Sequence, residues 1–318
     1  MITYLALIAG LVILVVAGDL LVRGAVGMAE RLGIPALIIG LTIVAFGTSA
    51  PELVISLEAA ASGAHGLAIG NVVGSNIANI LLVLGAPSLI FATACSGPGT
   101  RRNALFMIAV TLGFIALASD GELGRLDGVV MISLLGVFLY DNYRSARRHR
   151  QHARDALADE FGDIGAKPPA LLAALLVAGL VGLPLGANLT IYGATEIARS
   201  WGVSETAIGL TVVAIGTSLP ELVASVMAAC HRQSAVAVGN VIGSNIFNLL
   251  AIMGTTSLVF PLAVPDEIFV PDMWIMVLTS LALLPFIFLC KPITRPVGAL
   301  MVLLFGVYVA GVLYTHGF

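Results

Sequence analysis

Apolar residues dominate ten stretches of the chain, near 3–28, 37–62, 67–91, 103–119, 128–143, 169–198, 205–229, 235–260, 273–290 and 297–315, with short polar segments between them. Each is long enough to cross a hydrocarbon core that takes about 20 helical residues. Lipid offers the backbone no hydrogen-bond partners, so every span is predicted to be a helix. The expected fold class is an all-α polytopic membrane protein with ten transmembrane helices. The first stretch lacks a basic leader and a small-residue cleavage signal, and reads as a span that stays in the protein.

The polar interruptions are not scattered. Residues 40–85 recur at 209–254 with 26 identities in 46 positions, no gap and a constant offset of 169. Both copies keep Gly-Thr-Ser-x-Pro-Glu and Gly-Asn-Val-x-Gly-Ser-Asn-Ile-x-Asn, so the chain is an internal duplication. Five spans separate a feature from its copy. Five is odd, which turns the second half upside down in the bilayer. The expected organisation is a first five-helix repeat at 1–143, a cytoplasmic linker at 144–168 and a second repeat at 169–318. Inverted repeats of this kind build secondary transporters, with broken helices and the binding site at the midplane.

The break can be located. Pro51 lies mid-span, brings no N–H to the carbonyl of Gly47 and crowds it, and Pro220 does the same to Gly216. Carbonyls freed at membrane depth persist only where protein, water or a cation satisfies them. The hydroxyls of Thr48, Ser49, Thr217 and Ser218 stand at the same level, next to Glu52 and Glu221. In the following span, Gly70, Asn71, Gly74, Ser75 and Asn76 are expected to loosen the helix, with Ser75 and Asn79 one turn apart. Their copies are Gly239, Asn240, Gly243, Ser244, Asn245 and Asn248. Taken singly, such glycines and small polar residues serve helix packing. Their joint recurrence beside an intramembrane carboxylate points to a site.

Composition agrees with a membrane protein: 59% of residues are apolar and 10% charged, against about 25% charged in soluble domains. Net charge is −3, and its distribution is more informative. With the N-terminus outside, the inner loops collect Arg31, Arg101, Arg102, Arg144, Arg147, Arg148, Arg150, Arg154, Lys167, Arg232, Lys291 and Arg295, and the outer loops keep Arg125 and Arg199. That bias predicts both termini outside and the 144–168 loop in the cytoplasm, in a bacterial inner membrane. Asp155, Asp159, Glu160 and Asp163 in the linker match no Ca²⁺-loop spacing. Cys95, Cys230 and Cys290 match no metal or redox motif and read as packing residues. Asp19 and Arg23 are expected to form a structural pair, as are Glu196 and Arg199. His65 and His231 fall in short turns and are expected to be solvated. Glu58, whose counterpart is Met227, is not supported by the duplication. The outer segments Asp120-Glu122-Asp127 and Asp266-Glu267-Asp272 form an acidic surface that either concentrates cations or is simply solvated.

The recurrent groups are all oxygen donors, which suits hard cations such as Na⁺ and Ca²⁺ and not Zn²⁺ or copper. Two glutamates carry −2, matching one Ca²⁺. A lone charge at the bilayer centre costs at least about 2.5–3.5 kcal/mol, so an empty, fully ionised site is unfavourable. A carrier that crosses poorly when empty releases one ion only as another replaces it, which is coupled antiport. An intramembrane protease would want aspartates sharing one proton. A cation channel would need no duplication and would conduct without a counter-ion.

The paired motifs Gly47-Thr48-Ser49-Ala50-Pro51-Glu52 and Gly74-Ser75-Asn76-Ile77-Ala78-Asn79, with their copies, resemble the α-repeats of the calcium/cation antiporter superfamily, in particular its prokaryotic sodium/calcium exchangers. The resemblance implies two inverted five-helix repeats, Na⁺/Ca²⁺ exchange by alternating access, and a diamond of four cation sites at the midplane. It implies Ca²⁺ ligation by Glu52, Glu221 and the carbonyls of Thr48 and Thr217. Na⁺ would be bound by Ser49, Ser75, Ser218, Ser244 and the carbonyls of Ala45 and Ala214, and Asn79 and Asn248 complete the set. Long first and sixth helices would slide over the core, consistent with Gly18, Gly24, Gly182 and Gly186. Asn248 replaces an aspartate of several relatives, which lowers the site's charge, argues for K⁺-independent transport and leaves Ca²⁺/H⁺ exchange as the alternative. No enzyme activity, cofactor or nucleic-acid partner is expected; the partners are Ca²⁺, Na⁺ and the lipid bilayer, and the chain is expected to be a monomer.

Overall fold

The computed structural model describes residues 2–148, 167–202, 214–265 and 268–316. They form helices α1 (Ile2–Leu32), α2 (Ala36–Thr48), α3 (Ala50–Ala61), α4 (His65–Ile90), α5 (Thr100–Ala118), α6 (Arg125–Arg148), α7 (Pro169–Ser200), α8 (Ala214–Thr217), α9 (Leu219–Cys230), α10 (Ser234–Val259), α11 (Met273–Phe288) and α12 (Arg295–His316). Among the described residues, α1, α4, α5, α6, α7, α10 and α12 are long and apolar enough to cross a membrane. The pair α2 and α3 qualifies as an eighth span when taken together. The protein is an all-helical polytopic membrane protein. The linker stretch 149–166, with Asp155, Asp159, Glu160 and Asp163, lies outside the described residues, as do 203–213 at the start of the expected seventh span.

Helices α1 and α7, of 31 and 32 residues, pack along their length through a seam that the sequence repeats every seven positions. A Cβ added at Gly193, Gly186 or Gly179 would lie 2.6–2.9 Å from backbone atoms of Leu7, Leu14 or Leu21. On the other side of the seam, Gly24 would collide with Leu176 and Gly10 with Thr190, at 2.5 Å each. Adding 169 to one residue and subtracting it from its partner maps Gly193–Leu7 onto Gly24–Leu176 and Gly179–Leu21 onto Gly10–Thr190. Small residues thus let two backbones approach where lipid gives no hydrophobic drive for helix association. Gly18 faces elsewhere, with Val223 Cγ1 of α9 2.8 Å from its ideal Cβ position.

Loop contacts sort into two groups. Thr93 and Ile293 form an antiparallel bridge, Arg101 donates to Phe288 O at 3.1 Å, Arg295 to Ile90 O at 3.1 Å, and Arg232 lies over Phe91. Arg31 donates to Lys167 O at 3.3 Å, so cationic loops expected on one side do meet one another. In the other group, strand β1 (Glu122–Leu123) pairs with strand β2 (Leu262–Ala263), and the Ala263 N–H donates to His65 Nδ1 at 3.1 Å.

Several expectations need correction. Helix α6 continues through Arg148, past the expected span end at 143, so the start of the predicted linker is helical. The paired strands were not foreseen, because two-residue segments carry no readable alternation. His65 accepts the bond just given, and His231 Nε2 contacts Asp19 Oδ1 at 2.7 Å, so neither histidine is simply solvated. The Asp19–Arg23 pair forms at 2.9 Å, and Arg199 pairs with Glu196. Cys95 is buried, and burial pushes its thiol up to about 12. Cys230 and Cys290 are exposed and are not packing residues.

Candidate cation site

Ser49 marks the break between α2 and α3, with φ −83° and ψ 7°, and the two helices bend by 43°. Its N–H still bonds Ala45 O at 3.1 Å, and the Thr48 hydroxyl lies 3.3 Å from the same carbonyl. The carbonyl of Ala45, expected to be a Na⁺ ligand, therefore already helps hold the bend. In the second copy the Ser218 N–H bonds Ile215 O at 3.2 Å. The helix that follows each break has a proline as its second residue, Pro51 or Pro220, and Glu52 and Glu221 occupy its first turn. Side chains thus start at a helix N-terminus deep in an apolar protein, where a carboxylate gains from exposed N–H groups.

Both carboxylates are 0% exposed and close enough to repel each other. They are tied across the two copies. Ser49 donates to Glu221 Oε1 at 2.9 Å, while Ser75 lies 3.4 Å from Glu52 Oε1 and 3.4 Å from Ser218 Oγ. Thr48 and Thr217 are buried beside them.

The third element of the site is a π-helical turn, which the sequence did not predict: the helix was expected to loosen at Gly70–Asn76. The glycines at 70 and 74 leave α4 helical, and the irregular turn is Asn79–Val83, matched by Asn248–Met253 in α10. Such turns are frequent at functional sites. The turn carrying Asn79 packs on α9, the helix of Glu221, and the turn carrying Asn248 packs on α3, the helix of Glu52.

Two pairs of amides omitted from the predicted ligands hold this arrangement. Asn71 Nδ2 donates to Glu52 O at 3.3 Å and Ser56 Oγ at 3.0 Å; Asn240 Nδ2 donates to Glu221 O at 3.3 Å and Ser225 Oγ at 3.1 Å. Asn76 and Asn245 each donate to the other's carbonyl at 3.3 Å, which places a local two-fold axis between α4 and α10. Asn248 Nδ2 adds a 3.0 Å bond to Asn76 Oδ1. The signal that could have found the brace was the recurrence of Ser56 and Ser225 at the same offset.

Several buried atoms remain without a hydrogen-bond partner among the described residues: Glu52 Oε2, Glu221 Oε2, Ser244 Oγ, Asn248 Oδ1 and both amide atoms of Asn79. Buried polar groups left in this way cost free energy, and native proteins contain few. Here they belong to residues of one recurrent constellation, and most are oxygens. Among the described residues no group of three or more His, Cys, Asp and Glu side chains gathers around a metal position. The chemistry is that of a hard-cation site built from two carboxylates, hydroxyls and amides.

The profile described as sodium/calcium exchanger protein matches residues 2–143 and 171–314, one stretch in each half. The chain belongs to the sodium/calcium exchanger family. Sodium/calcium exchanger MaX1 of Methanosarcina acetivorans is 31% identical over 346 residues, covering 98% of this chain and 99% of its own length. The putative antiporter CaxA of Alkalimonas amylolytica is 39% identical over 277 residues, 86% of each chain. A solved structure of the sodium-calcium exchanger NCX_Mj soaked with zero Na⁺ and Ca²⁺ superposes with a TM-score of 0.84 at 31% identity, covering 98% of both chains. Membership in the sodium/calcium exchanger family makes this chain a membrane antiporter of the calcium/cation superfamily and sets enzyme readings aside.

Proposed function

We propose that this protein exchanges Na⁺ for Ca²⁺ by alternating access around one site shared by two inverted five-helix repeats, 1–143 and 169–318. The observation that carries the reading is the pair of buried glutamates, Glu52 and Glu221, set at two broken helices and linked across the repeats through Ser49, Ser75 and Ser218. One Ca²⁺ balances both carboxylates, and Na⁺ ions that replace it keep them compensated. The ligands are Glu52, Glu221, the carbonyls of Thr48, Thr217, Ala45 and Ala214, the hydroxyls of Ser49, Ser218, Ser75 and Ser244, and the amides of Asn79 and Asn248. Ala45 O already accepts the Ser49 N–H, so it would offer a cation its second lone pair. The helices α1 and α7 move together, because their seam interlocks them more closely than either joins the core.

The cationic loops that meet at one end support a ten-span arrangement with both termini outside, in the bacterial inner membrane, where the relative YrbG of Escherichia coli is named as an inner membrane protein. The relative CaxA is named as an antiporter without its ions, and protons can neutralise the same two glutamates, so Ca²⁺/H⁺ exchange is the second reading. Reconstitution in proteoliposomes separates the two: ⁴⁵Ca²⁺ uptake should follow an imposed Na⁺ gradient and be indifferent to a pH gradient. Uptake driven by the pH gradient alone would replace the first reading with the second.

A further inference from the structure

Asp19 on α1 has two partners of different kinds. Arg23 lies one turn along the same helix and pairs with it at 2.9 Å, so that contact travels with α1. His231 belongs to the turn that joins α9 to α10, and its Nε2 lies 2.7 Å from Asp19 Oδ1. An ionised carboxylate only accepts, so the ring N–H donates. The side chains are 24% exposed for Asp19 and 26% for His231, which spares the pair part of the screening that weakens surface contacts. The bond therefore crosses the boundary between the interlocked helices α1 and α7 and the core.

The duplication supplies the comparison. A shift of 169 sets Asn188 of α7 and Ser62 of the α3–α4 turn where Asp19 and His231 stand, and neither counterpart carries a charge. Ser62 donates its hydroxyl to Ala59 O of its own turn at 2.9 Å. The helix faces differ in the same sense. On α9, the face that carries Val223 and Met227 is covered by α1, since a Cβ at Gly18 would stand 2.8 Å from Val223 Cγ1 and 3.0 Å from Met227 Cγ. The matching face of α3 carries Val54 and Glu58, and both are exposed, Val54 by 54%. Beside it, a cavity of about 290 Å³ touches Ile55 and follows Gly70 and Gly74 of α4 to Asn71, Ser75 and Thr217 at the site. Helix α1 is thus packed on the second repeat at the end where the cationic loops meet, next to Arg232 over Phe91, while the α3 face toward the other end is bare.

We propose that the Asp19–His231 bond is a latch that sets which of the two access states the protein favours: it holds α1 on α9, and α1 and α7 move over α3 only when it opens. The inference rests on the alternating-access reading above. Because the opposite state would bring together Asn188 and Ser62 in place of an acid and a histidine, the two states differ in free energy although the site between them is built from matching residues. Asp19 and His231 are positioning residues in this scheme and do not touch the transported ion.

The test measures how fast N-ethylmaleimide labels one introduced thiol in the purified full chain. The exposed cysteines are removed by Cys230→Ala and Cys290→Ser; Val223→Cys then places a thiol under α1, and Val54→Cys places one on the bare face. Asp19→Asn and His231→Ser each install the residue that the counterpart position already carries. Each should speed labelling at position 223 about 2- to 5-fold, the range expected of one ion pair, and should not speed it at position 54. The double variant should do no more than either single one, since both remove the same bond. Equal acceleration at both positions overturns the proposal, because that is the signature of general loosening, and so does unchanged labelling at position 223 or an additive double variant. The exchange reading is judged apart from this: absence of ⁴⁵Ca²⁺ flux under either a Na⁺ or a pH gradient with Asp19 and His231 intact overturns that reading, whereas failure of the labelling pattern in a protein that transports overturns the latch alone.

Discussion

The glycine faces of α4 and α10 carry the same motif and meet different surroundings. On α10, a Cβ at Gly239 would stand 2.6 Å from Leu37 O, and one at Gly243 2.6 Å from Leu41 O and 2.7 Å from Ala45 Cβ. This face is sealed by the backbone of α2. On α4, a Cβ at Gly70 would touch Ile268 Cδ1 at 3.6 Å, and one at Gly74 would meet nothing within 4 Å among the described residues. This face lines the cavity. Equal sequences in unequal packing cannot be explained by local propensity. On α10 the face is closed by helix-on-helix contact, and the glycines are what permits that closure; on α4 the segment that the duplication sets opposite, 205–213, lies outside the described residues. In an alternating-access cycle the two faces exchange roles, so Gly70 and Gly74 should be packed in the opposite state.

The largest test of the comparison concerns the pair it serves. If both halves contribute to one shared site, Glu52→Gln and Glu221→Gln should each reduce Ca²⁺ flux roughly 100-fold or more, equivalent to about 3 kcal/mol from a lost charged ligand. Normal transport by either variant would dissolve the shared site. Next come the glycines. Gly243→Ala forces overpacking worth about 1–3 kcal/mol and should lower the thermal unfolding midpoint by several degrees in detergent. Gly74→Ala should leave the midpoint nearly unchanged yet slow turnover, because the state that must pack this face is penalised. Equal melting shifts for both variants would show that the two faces are packed alike. The smallest expected difference is between Asn71→Ala and Asn240→Ala. Their bonds are nearly identical in length, so each should cost about 1–2 kcal/mol in unfolding measurements and the two costs should agree. A marked inequality would place the asymmetry inside the site as well as along its access routes.

Much of the site was legible because duplication filters it. A residue type that recurs at one offset within an apolar background stands out, as Glu52 and Glu221, Ser75 and Ser244, and Asn79 and Asn248 do. The break was placed correctly at the prolines, since the missing N–H is a local property. The π-helical turns at Asn79 and Asn248 were not legible, because an extra residue in a helical turn depends on what packs against it. Asn71 and Asn240 were noticed and left out of the candidate set, because a side chain that braces a glutamate's own backbone looks, in sequence, like any helix-packing amide. The histidine contacts failed for a related reason: Asp19 and His231 are 212 residues apart, and no pattern along the chain links them.

By itself the amino-acid sequence determined which segments are apolar enough to leave water, that the chain is duplicated, and which oxygens both copies retain at membrane depth. Those are properties of composition and spacing. Only the tertiary structure decided that Ser49 of one copy serves the glutamate of the other, that α2 seals one glycine face while the other lines a cavity, and that Ala45 O is occupied at the bend. The physical reason is that two identical motifs cannot say how they will be offset from one another. That offset is set by long-range packing of rigid helices, and it is the quantity a carrier changes as it works.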